Sequence, residues 1–231
     1  LRGRLRSGLL PKLLLALGLG GLQGFVGWFM VASGFVEADA VSQYRLALHL
    51  FLALLIYAYL LWLACGELLA RPEESDEETR GLRRAGAGLL ALVGVTIVSG
   101  AFVAGTSAGL IYNTFPLMDG RLVPTGYGEL APWWLNWFEN VTAIQFNHRL
   151  LAVTTVAATL LLWLFARRLR PGAARRALDL MAGMALVQLG LGIATLLLVV
   201  PVWLGALHQA GAVLLLGLSI HALFRLSPAG R

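Results

Sequence analysis

The 45 residues from Leu180 to Phe224 contain no Asp, Glu, Lys or Arg: LMAGMALVQLGLGIATLLLVVPVWLGALHQAGAVLLLGLSIHALF. A helix needs roughly 20 apolar residues to cross a bilayer, so this stretch is long enough for two spans. Pro201 stands near its middle, and proline does not continue a helix interior because it lacks a backbone N–H. We therefore predict two transmembrane helices joined by a tight turn at Pro201.

The rest of the chain contains four more apolar stretches. They are residues 13–36, 46–66, the first part of 85–118, and 141–166. Of the 231 residues, 58% are hydrophobic and 13% are charged, whereas a soluble domain has about 25% charged residues. This composition excludes a soluble enzyme, a disordered tail and a nucleic-acid-binding module. We predict an all-α, polytopic membrane helical bundle with six transmembrane helices in this chain.

The basic residues indicate how the spans are oriented. Fifteen of the 18 Lys and Arg residues flank the spans on one side of the membrane, and only Arg121 lies in the loops on the other side. Loops with an excess of Lys and Arg stay in the cytoplasm, so we expect both termini of this chain there. A charged cytoplasmic loop, residues 71–84, separates residues 1–70 from residues 85–231.

Three of the four histidines are expected at one depth in the membrane. His49, His148 and His208 each follow the outer start of a span by seven or eight residues, which is roughly 10–12 Å of helix. His221 lies 13 residues beyond His208, near the cytoplasmic end and on nearly the opposite helix face. We expect His221 not to be a ligand and the other three to form a layer of imidazoles.

A zinc ion and a haem are the two groups to consider for this layer. Zinc would want a Cys, Asp or Glu ligand nearby, but Cys65 is the only cysteine and no acidic residue shares the layer. Haem is a flat apolar disc whose iron takes axial ligands from both sides, and two imidazoles on facing helices suit it. Gly205 and Gly211, three residues on either side of His208, let a flat ring or another helix approach closely. We therefore favour a haem.

Two arginines inside the spans strengthen the haem hypothesis. Arg45 lies four residues before His49, on the same helix face and one turn nearer the outside, where haem propionates would point. Arg149 follows His148 and either snorkels to the surface or reaches a propionate. Because arginine pairs well with a carboxylate, we expect at least one of the two arginines to bind a propionate.

A weak internal repeat relates the two ends of the chain. The tripeptide Ala-Leu-His ends at His49 and again at His208, and a Gln-x-x-x-Gly pattern in the preceding span begins at Gln23 and again at Gln188. The first two spans therefore resemble the last two, whereas the third and fourth have no counterpart here. We predict that this chain is the carboxy-terminal part of a longer protein with two four-helix halves.

Six stretches along the chain follow the order of a known family. They are GGLQGFVGWFMVAS at 20–33, VSQYRLALHL at 41–50, GAFVAGTSAG at 100–109, YNTFPLMD at 112–119, ENVTAIQFNHR at 139–149 and LHQ at 207–209. With them the chain resembles the carboxy-terminal three-quarters of the heme A synthase family of proteobacteria and mitochondria. The resemblance implies an eight-helix protein with two pseudo-symmetric halves, of which two upstream helices are missing here.

The resemblance also implies an activity. Family members are oxidoreductases that convert the C8 methyl group of heme O into a formyl group, which gives heme A for cytochrome oxidase. By this resemblance, His148 and His208 are the axial ligands of the iron of a haem b in the second half. His49 is a ligand of the substrate haem iron in the first half, and its partner histidine belongs to an upstream helix. The chain is then expected to carry only part of the reaction site.

Gln145 marks a difference between the halves, again by resemblance. It stands three residues before His148, where the family's first half carries a glutamate. This suggests that the second half holds a cofactor and the first half performs the reaction, with Arg45, Arg149 and Gln145 among the haem-binding residues. The family further implies a cell inner membrane location, heme O as substrate in a lipid environment, and contacts with heme O synthase, cytochrome oxidase assembly factors or a second copy.

Two other functions remain to be weighed. An electron-transfer b-type cytochrome subunit also binds haem through histidines, but such subunits often place haems near both membrane faces, and only His221 lies near the inner one. A transporter whose histidines relay protons would need buried acidic residues, which the six spans lack at mid-depth. A redox difference spectrum separates haem binding from transport, and pigment analysis separates a synthase from a cytochrome.

Overall fold

The computed structural model describes residues 8–32, 42–70 and 77–228, and the regular elements in these ranges are all helical. They are α1 Leu9–Ala32, α2 Gln43–Leu68, α3 Glu77–Gly105, α4 Val141–Ala166, α5 Ala173–Leu197 and α6 Val202–Arg225. Two short 3-10 helices, Ala108–Leu110 and Trp133–Trp137, lie between α3 and α4. All six α-helices are long and apolar enough to cross a membrane, which confirms the predicted six-span, all-α bundle of a multi-pass membrane protein.

The predicted loop of residues 71–84 is shorter than expected, because α3 begins at Glu77. Arg80 and Arg84 are therefore helical residues. Long charged side chains can reach the membrane surface without ending a helix, so a count of uncharged residues finds the membrane-crossing part and misses the helix start. Residues outside the described ranges include 71–76 and four arginines used to predict the orientation, Arg2, Arg4, Arg6 and Arg231.

The connection between α5 and α6 lies where Pro201 predicts it. Helix α5 ends at Leu197, and α6 begins directly after Pro201. Val199 and Val200 have φ values of 61° and 55°, which β-branched residues rarely adopt, so the chain reverses within a few residues. Asn113, from the segment between α3 and α4, donates from Nδ2 to the backbone oxygen of Leu196 at 2.9 Å and ties that segment to the turn.

Helices α3 to α6 form a four-helix ring. Helix α3 packs on α4, α4 on α5, α5 on α6, and α6 again on α3. Helices α4 and α6 are therefore diagonal across the ring, as are α3 and α5. Helix α2 packs outside the ring on α3 and α6, where Trp62 meets Phe224 edge to face with ring centroids 5.3 Å apart. Helix α1 packs on α2 and has no buried residue.

The packed apolar core fills one end of the ring. Its buried side chains come from the first two-thirds of α3, the first half of α5 and the second halves of α4 and α6, together with Leu54 of α2. The ring helices meet in this way because neighbouring helices run in opposite directions. Representative members are Leu89, Val93, Leu162, Leu178, Met181, Leu215 and Ile220. The opposite end carries His148 and His208, and we call it the histidine end.

Candidate functional site

Three histidines stand at matching positions of their helices. His49 is the seventh residue of α2, His148 the eighth of α4 and His208 the seventh of α6. All three imidazoles are half-buried. His148 and His208 come from the diagonal helices of the ring. His49 lies on α2, outside the ring.

The histidine layer is not one metal centre. In the described ranges, no three side chains among His, Cys, Asp and Glu come together in a group that could hold a metal ion. His148 and His208 lie on the diagonal helices of the ring, and His49 lies on α2 outside the ring. His221 lies four residues before the end of α6, and Cys65 is buried near the end of α2, both at the end opposite the histidine end.

Each of the three imidazoles lies against a glycine of the preceding helix. A Cβ built on the glycine would lie 2.9 Å from the imidazole Cε1 for Gly192 and His208, 3.0 Å for Gly27 and His49, and 3.2 Å for Gly100 and His148. Real Cβ atoms essentially never approach another atom as closely as at Gly192, and the contacts at Gly27 and Gly100 are tighter than most, so a larger residue would require each ring to shift. In all three pairs Nε2 is the ring nitrogen farther from the glycine.

In two of these pairs a glutamine of the preceding helix also lies against the imidazole, Gln188 at Nδ1 of His208 and Gln23 at both ring nitrogens of His49, with Nε2 at 3.2 Å. Gln188 Nε2 lies 3.0 Å from His208 Nδ1 and donates to the His208 backbone oxygen at 2.8 Å. Gln23 Nε2 lies 3.1 Å from His49 Nδ1 and donates to the His49 backbone oxygen at 3.1 Å. The sequence repeat is thus also a structural one, which we call the Gln–Gly–His arrangement. In both copies the glutamine Oε1 is buried without a hydrogen-bond partner.

His148 is held by a serine instead. Ser99, the residue before Gly100, has its Oγ 2.7 Å from His148 Nδ1. The same hydroxyl donates to the backbone oxygen of Thr96 at 2.7 Å. The two histidines of the ring therefore have Nδ1 partners of different chemistry.

Arg149 and Gln145, on either side of His148, bind the segment between α3 and α4. Arg149 donates to the backbone oxygens of Tyr112 at 2.6 Å and Thr114 at 2.8 Å, and Gln145 donates to that of Tyr112 at 3.0 Å. Arg149 thus binds backbone oxygens of the segment between α3 and α4, and its propionate role stays a prediction. Arg149 Nε and Gln145 Oε1 are buried without a hydrogen-bond partner.

The same segment covers the histidine end and is held there by asparagines. Asn140 accepts from the backbone N–H of Ala143 at 3.2 Å, which caps α4, and its Nδ2 donates to Asn136 Oδ1 at 2.9 Å. Tyr127 donates from its hydroxyl to Asn147 Oδ1 at 3.0 Å, one residue before His148. The segment is therefore anchored directly beside the candidate site.

The start of α2 is joined to the start of α4. Gln43 Nε2 donates to Glu139 Oε2 at 3.2 Å, and the Tyr44 hydroxyl donates to the other oxygen of the same carboxylate. Arg45, the next residue, lies over the ring of Phe29 in α1, 5.3 Å from its centroid. Arg45 is thus placed beside this link and one turn from His49, and its propionate role also stays a prediction.

The residues present fit a haem between α4 and α6. Two imidazoles on diagonal helices can approach a flat group from both sides, and cofactor sites in four-helix bundles are built in this way. Gly100 and Gly192 leave room for the rings, and the buried Oε1 of Gln188 is an unsatisfied polar atom beside them.

The sequence pattern did not single out Ser99, which directly precedes the family-like stretch 100–109, and the glutamines stood out only as a repeat.

Comparison with known proteins gives a consistent result over almost the whole chain. The model of a family described as cytochrome oxidase assembly protein matches residues 1–220. The chain is 52% identical to a heme A synthase of Granulibacter bethesdensis over 229 residues, 99% of this chain and 60% of that protein. It is 50% identical to a heme A synthase of Nitrosospira multiformis over 199 residues, 85% of this chain and 56% of that protein. It is 49% identical to a heme A synthase of Rhodospirillum centenum over 231 residues, 98% of this chain and 61% of that protein.

The chain thus spans between 56% and 61% of the length of these curated relatives. The match to the family model covers all six membrane-spanning helices except the last residues of α6. It includes all three histidines of the layer and the segment that covers the histidine end. The chain belongs to the cytochrome oxidase assembly protein family.

Proposed function

We propose that this chain is part of a heme A synthase, an oxidoreductase that converts the C8 methyl group of heme O into the formyl group of heme A. The observation that carries the proposal is the pair His148 and His208 on the diagonal helices α4 and α6, each imidazole lying against a glycine. The name heme A synthase of relatives with about half their aligned residues identical supports the same reaction.

In this proposal a haem b is bound between His148 and His208. When bound, it would supply an iron that exchanges single electrons, and His148 and His208 would hold it for electron transfer. The chain's own residues hold the site in shape. Gly100 and Gly192 set the planes of the two imidazoles, and Arg149 binds the covering segment over them.

His49 is proposed as a ligand of the iron of the substrate heme O. Conversion of a methyl group to a formyl group removes four electrons and adds one oxygen atom, so the protein must hold one ring edge in place throughout. Gln23 and Gly27 orient the His49 ring for this task. Arg45 lies one turn away with the charge that a propionate needs, and its contact with the face of Phe29 does not use its N–H donors.

We further propose a cell inner membrane location with both termini of this chain in the cytoplasm. The support is the distribution of Lys and Arg, with fifteen on one side and Arg121 on the other. Heme O is the proposed substrate and reaches the site from the surrounding lipid. Heme O synthase, cytochrome oxidase assembly factors and a second copy of the protein are the proposed partners.

The proposal is tested by expressing the full-length gene product in a host that makes heme O but no heme A, followed by extraction of the pigments. We expect heme A and, in the purified protein, a low-spin haem b spectrum. His49→Ala should abolish heme A and keep the haem b spectrum, because it removes the substrate ligand alone. A haem b spectrum without heme A in the wild type would instead identify an electron-transfer b-type cytochrome.

A further inference from the structure

The hydrogen bond of His148 determines where its ring proton lies. A serine hydroxyl has one proton, and Ser99 donates that proton to the backbone oxygen of Thr96 at 2.7 Å. Toward His148 Nδ1, 2.7 Å away, the Ser99 oxygen can then only accept. His148 Nδ1 must therefore carry a proton.

This proton position leaves the other ring nitrogen ready to bind a metal. In a neutral imidazole one nitrogen is a donor and the other keeps its electron pair, so His148 Nε2 is the free one. Histidines that ligate metals commonly donate their second ring N–H to an acceptor, which fixes the tautomer and the ring orientation. Ser99 supplies that acceptor, and Gly100 beside it leaves space for the ring edge.

His208 is held in the opposite way. An amide nitrogen has no electron pair to offer, so Gln188 Nε2 donates to His208 Nδ1, and the ring proton lies on Nε2. Binding of a metal by Nε2 then requires the proton to leave that atom and Nδ1 to find an acceptor. The Gln188 Oε1, which is buried without a partner against the backbone of Gly211, belongs to the same amide and becomes that acceptor when the amide turns.

We propose that Ser99 is a positioning residue of the haem site. It holds His148 in the tautomer with a free Nε2, so that His148 is prepared to bind before the haem arrives, whereas His208 changes tautomer on binding. This inference rests on the haem site proposed above. Its first consequence, the unequal tautomers of the two histidines, belongs to the haem-free protein and can be measured there.

The first measurement is the ¹⁵N NMR spectrum of the haem-free, full-length protein with labelled histidines, assigned through single His→Gln variants. We expect a protonated Nδ1 in His148 and a protonated Nε2 in His208. Ser99→Ala should move His148 toward a mixture of tautomers, and Ser99→Thr, which keeps the hydroxyl, should restore the wild-type signals. Ser219→Ala is the matched control, because Ser219 is a buried serine whose hydroxyl binds the backbone oxygen of Leu215 at 2.8 Å.

The second measurement is the haem affinity of the same variants. Loss of a residue that orients a metal ligand typically lowers affinity by about 10–100-fold, and we expect this for Ser99→Ala but not for Ser99→Thr or Ser219→Ala. A protonated Nε2 in wild-type His148, or equal tautomers and affinities in Ser99→Ala and Ser219→Ala, overturns the role of Ser99. A wild-type protein with the expected tautomers that binds no haem overturns the haem site and leaves the hydrogen-bond assignment standing.

Discussion

The helix pairs α1–α2 and α5–α6 contain the same Gln–Gly–His arrangement in different surroundings. Gln23 and Gln188 lie 3.1 Å and 3.0 Å from Nδ1 of His49 and His208, and Gln23 Nε2 also lies 3.2 Å from His49 Nε2. Helices α5 and α6 belong to the ring, where His208 has His148 on the diagonal helix. Helix α1, which packs on α2 outside the ring, contains no histidine. The helix pair α1–α2 thus orients one histidine, whereas the four-helix ring places His148 and His208 on facing helices.

The two copies also differ in how the glutamine amide is packed. Three residues after His208 stands Gly211, and the Gln188 Oε1 lies so close to it that a Cβ there would collide with the amide. Three residues after His49 stands Leu52. The Gln188 amide therefore lies against the backbone of α6, and a change at Gly211 would act on His208 through Gln188. The copy inside the ring is thus the more tightly packed one.

The strongest test of this comparison is removal of one histidine from each copy. His208→Ala should abolish the low-spin haem b spectrum, because it removes one of two axial bonds, and His49→Ala should leave that spectrum intact. His148→Ala should behave as His208→Ala does. Redox difference spectra of the purified full-length protein measure the effect.

His221→Ala is the control, since His221 lies at the end opposite the histidine end. A normal low-spin spectrum in His208→Ala would show that the ring does not supply this ligand. Loss of the spectrum in His49→Ala would show that the two copies serve one common site.

Enlarging Gly192 should weaken haem binding through His208 less than the removal of His208 does. In Gly192→Ala the new Cβ would lie 2.9 Å from His208 Cε1, so the ring must shift. We expect haem b affinity to fall by about 10–100-fold, as for other changes that misorient a metal ligand. Helix stability should not fall, because alanine is favoured over glycine in a helix by about 0.8–1.0 kcal/mol. Haem titration and thermal unfolding measure the two effects.

Gly190→Ala is the matched control, because Gly190 lies on the same helix and a Cβ there would have nothing within 4 Å. Equal affinities in Gly192→Ala and Gly190→Ala would mean that the contact with His208 is unimportant. Gly27→Ala, the equivalent change in the other copy, should leave haem b affinity unchanged.

The sequence predicts the six helices and the histidine layer for simple physical reasons. A span must be long and apolar whatever it packs against, so uncharged stretches reveal it, and Pro201 marks a turn because it cannot continue a helix. The depth of His49, His148 and His208 follows from counting residues along each helix. These features depend on one helix at a time, and they are the part of the fold that the sequence can supply.

The hydrogen-bond partners could not be predicted in the same way. Arg149 binds the backbone of Tyr112 and Thr114, residues 37 and 35 positions away, and nothing in the spacing shows where that segment folds back. Ser99 reaches His148 because α3 and α4 are neighbours at a particular rotation about their axes. Such contacts depend on how two elements pack, and one sequence does not contain that information in a readable form.

Replacement of the Gln188 amide should have a smaller effect than enlargement of Gly192. Gln188→Leu removes the hydrogen bonds to His208 Nδ1 and to its backbone oxygen and keeps a side chain of similar size. A hydrogen bond contributes about 0.5–1.5 kcal/mol net, so we expect haem b affinity to fall by about tenfold while the spectrum stays low-spin. Haem titration measures the affinity, and Gln23→Leu serves as the control that leaves it unchanged. A high-spin spectrum in Gln188→Leu would show that Gln188 does more than orient the ring.

The smallest expected effect concerns Glu139, which joins the start of α2 to the start of α4. Glu139→Gln keeps an oxygen that accepts from Tyr44 but replaces the oxygen that accepts from Gln43 by an amide nitrogen. An exposed link of this kind contributes about 0.2–1 kcal/mol, so the protein should stay folded and keep its haem b spectrum. Arg45 and His49 follow Gln43 and Tyr44 on α2, so loss of this contact should also weaken the binding of heme O. We expect a decrease in affinity of up to about fivefold, which corresponds to about 1 kcal/mol. Parallel titrations of the full-length protein with heme O and with haem b measure the two sites. Equal weakening at both sites would mean that Glu139 stabilises the whole bundle and does not act specifically through its link between α2 and α4.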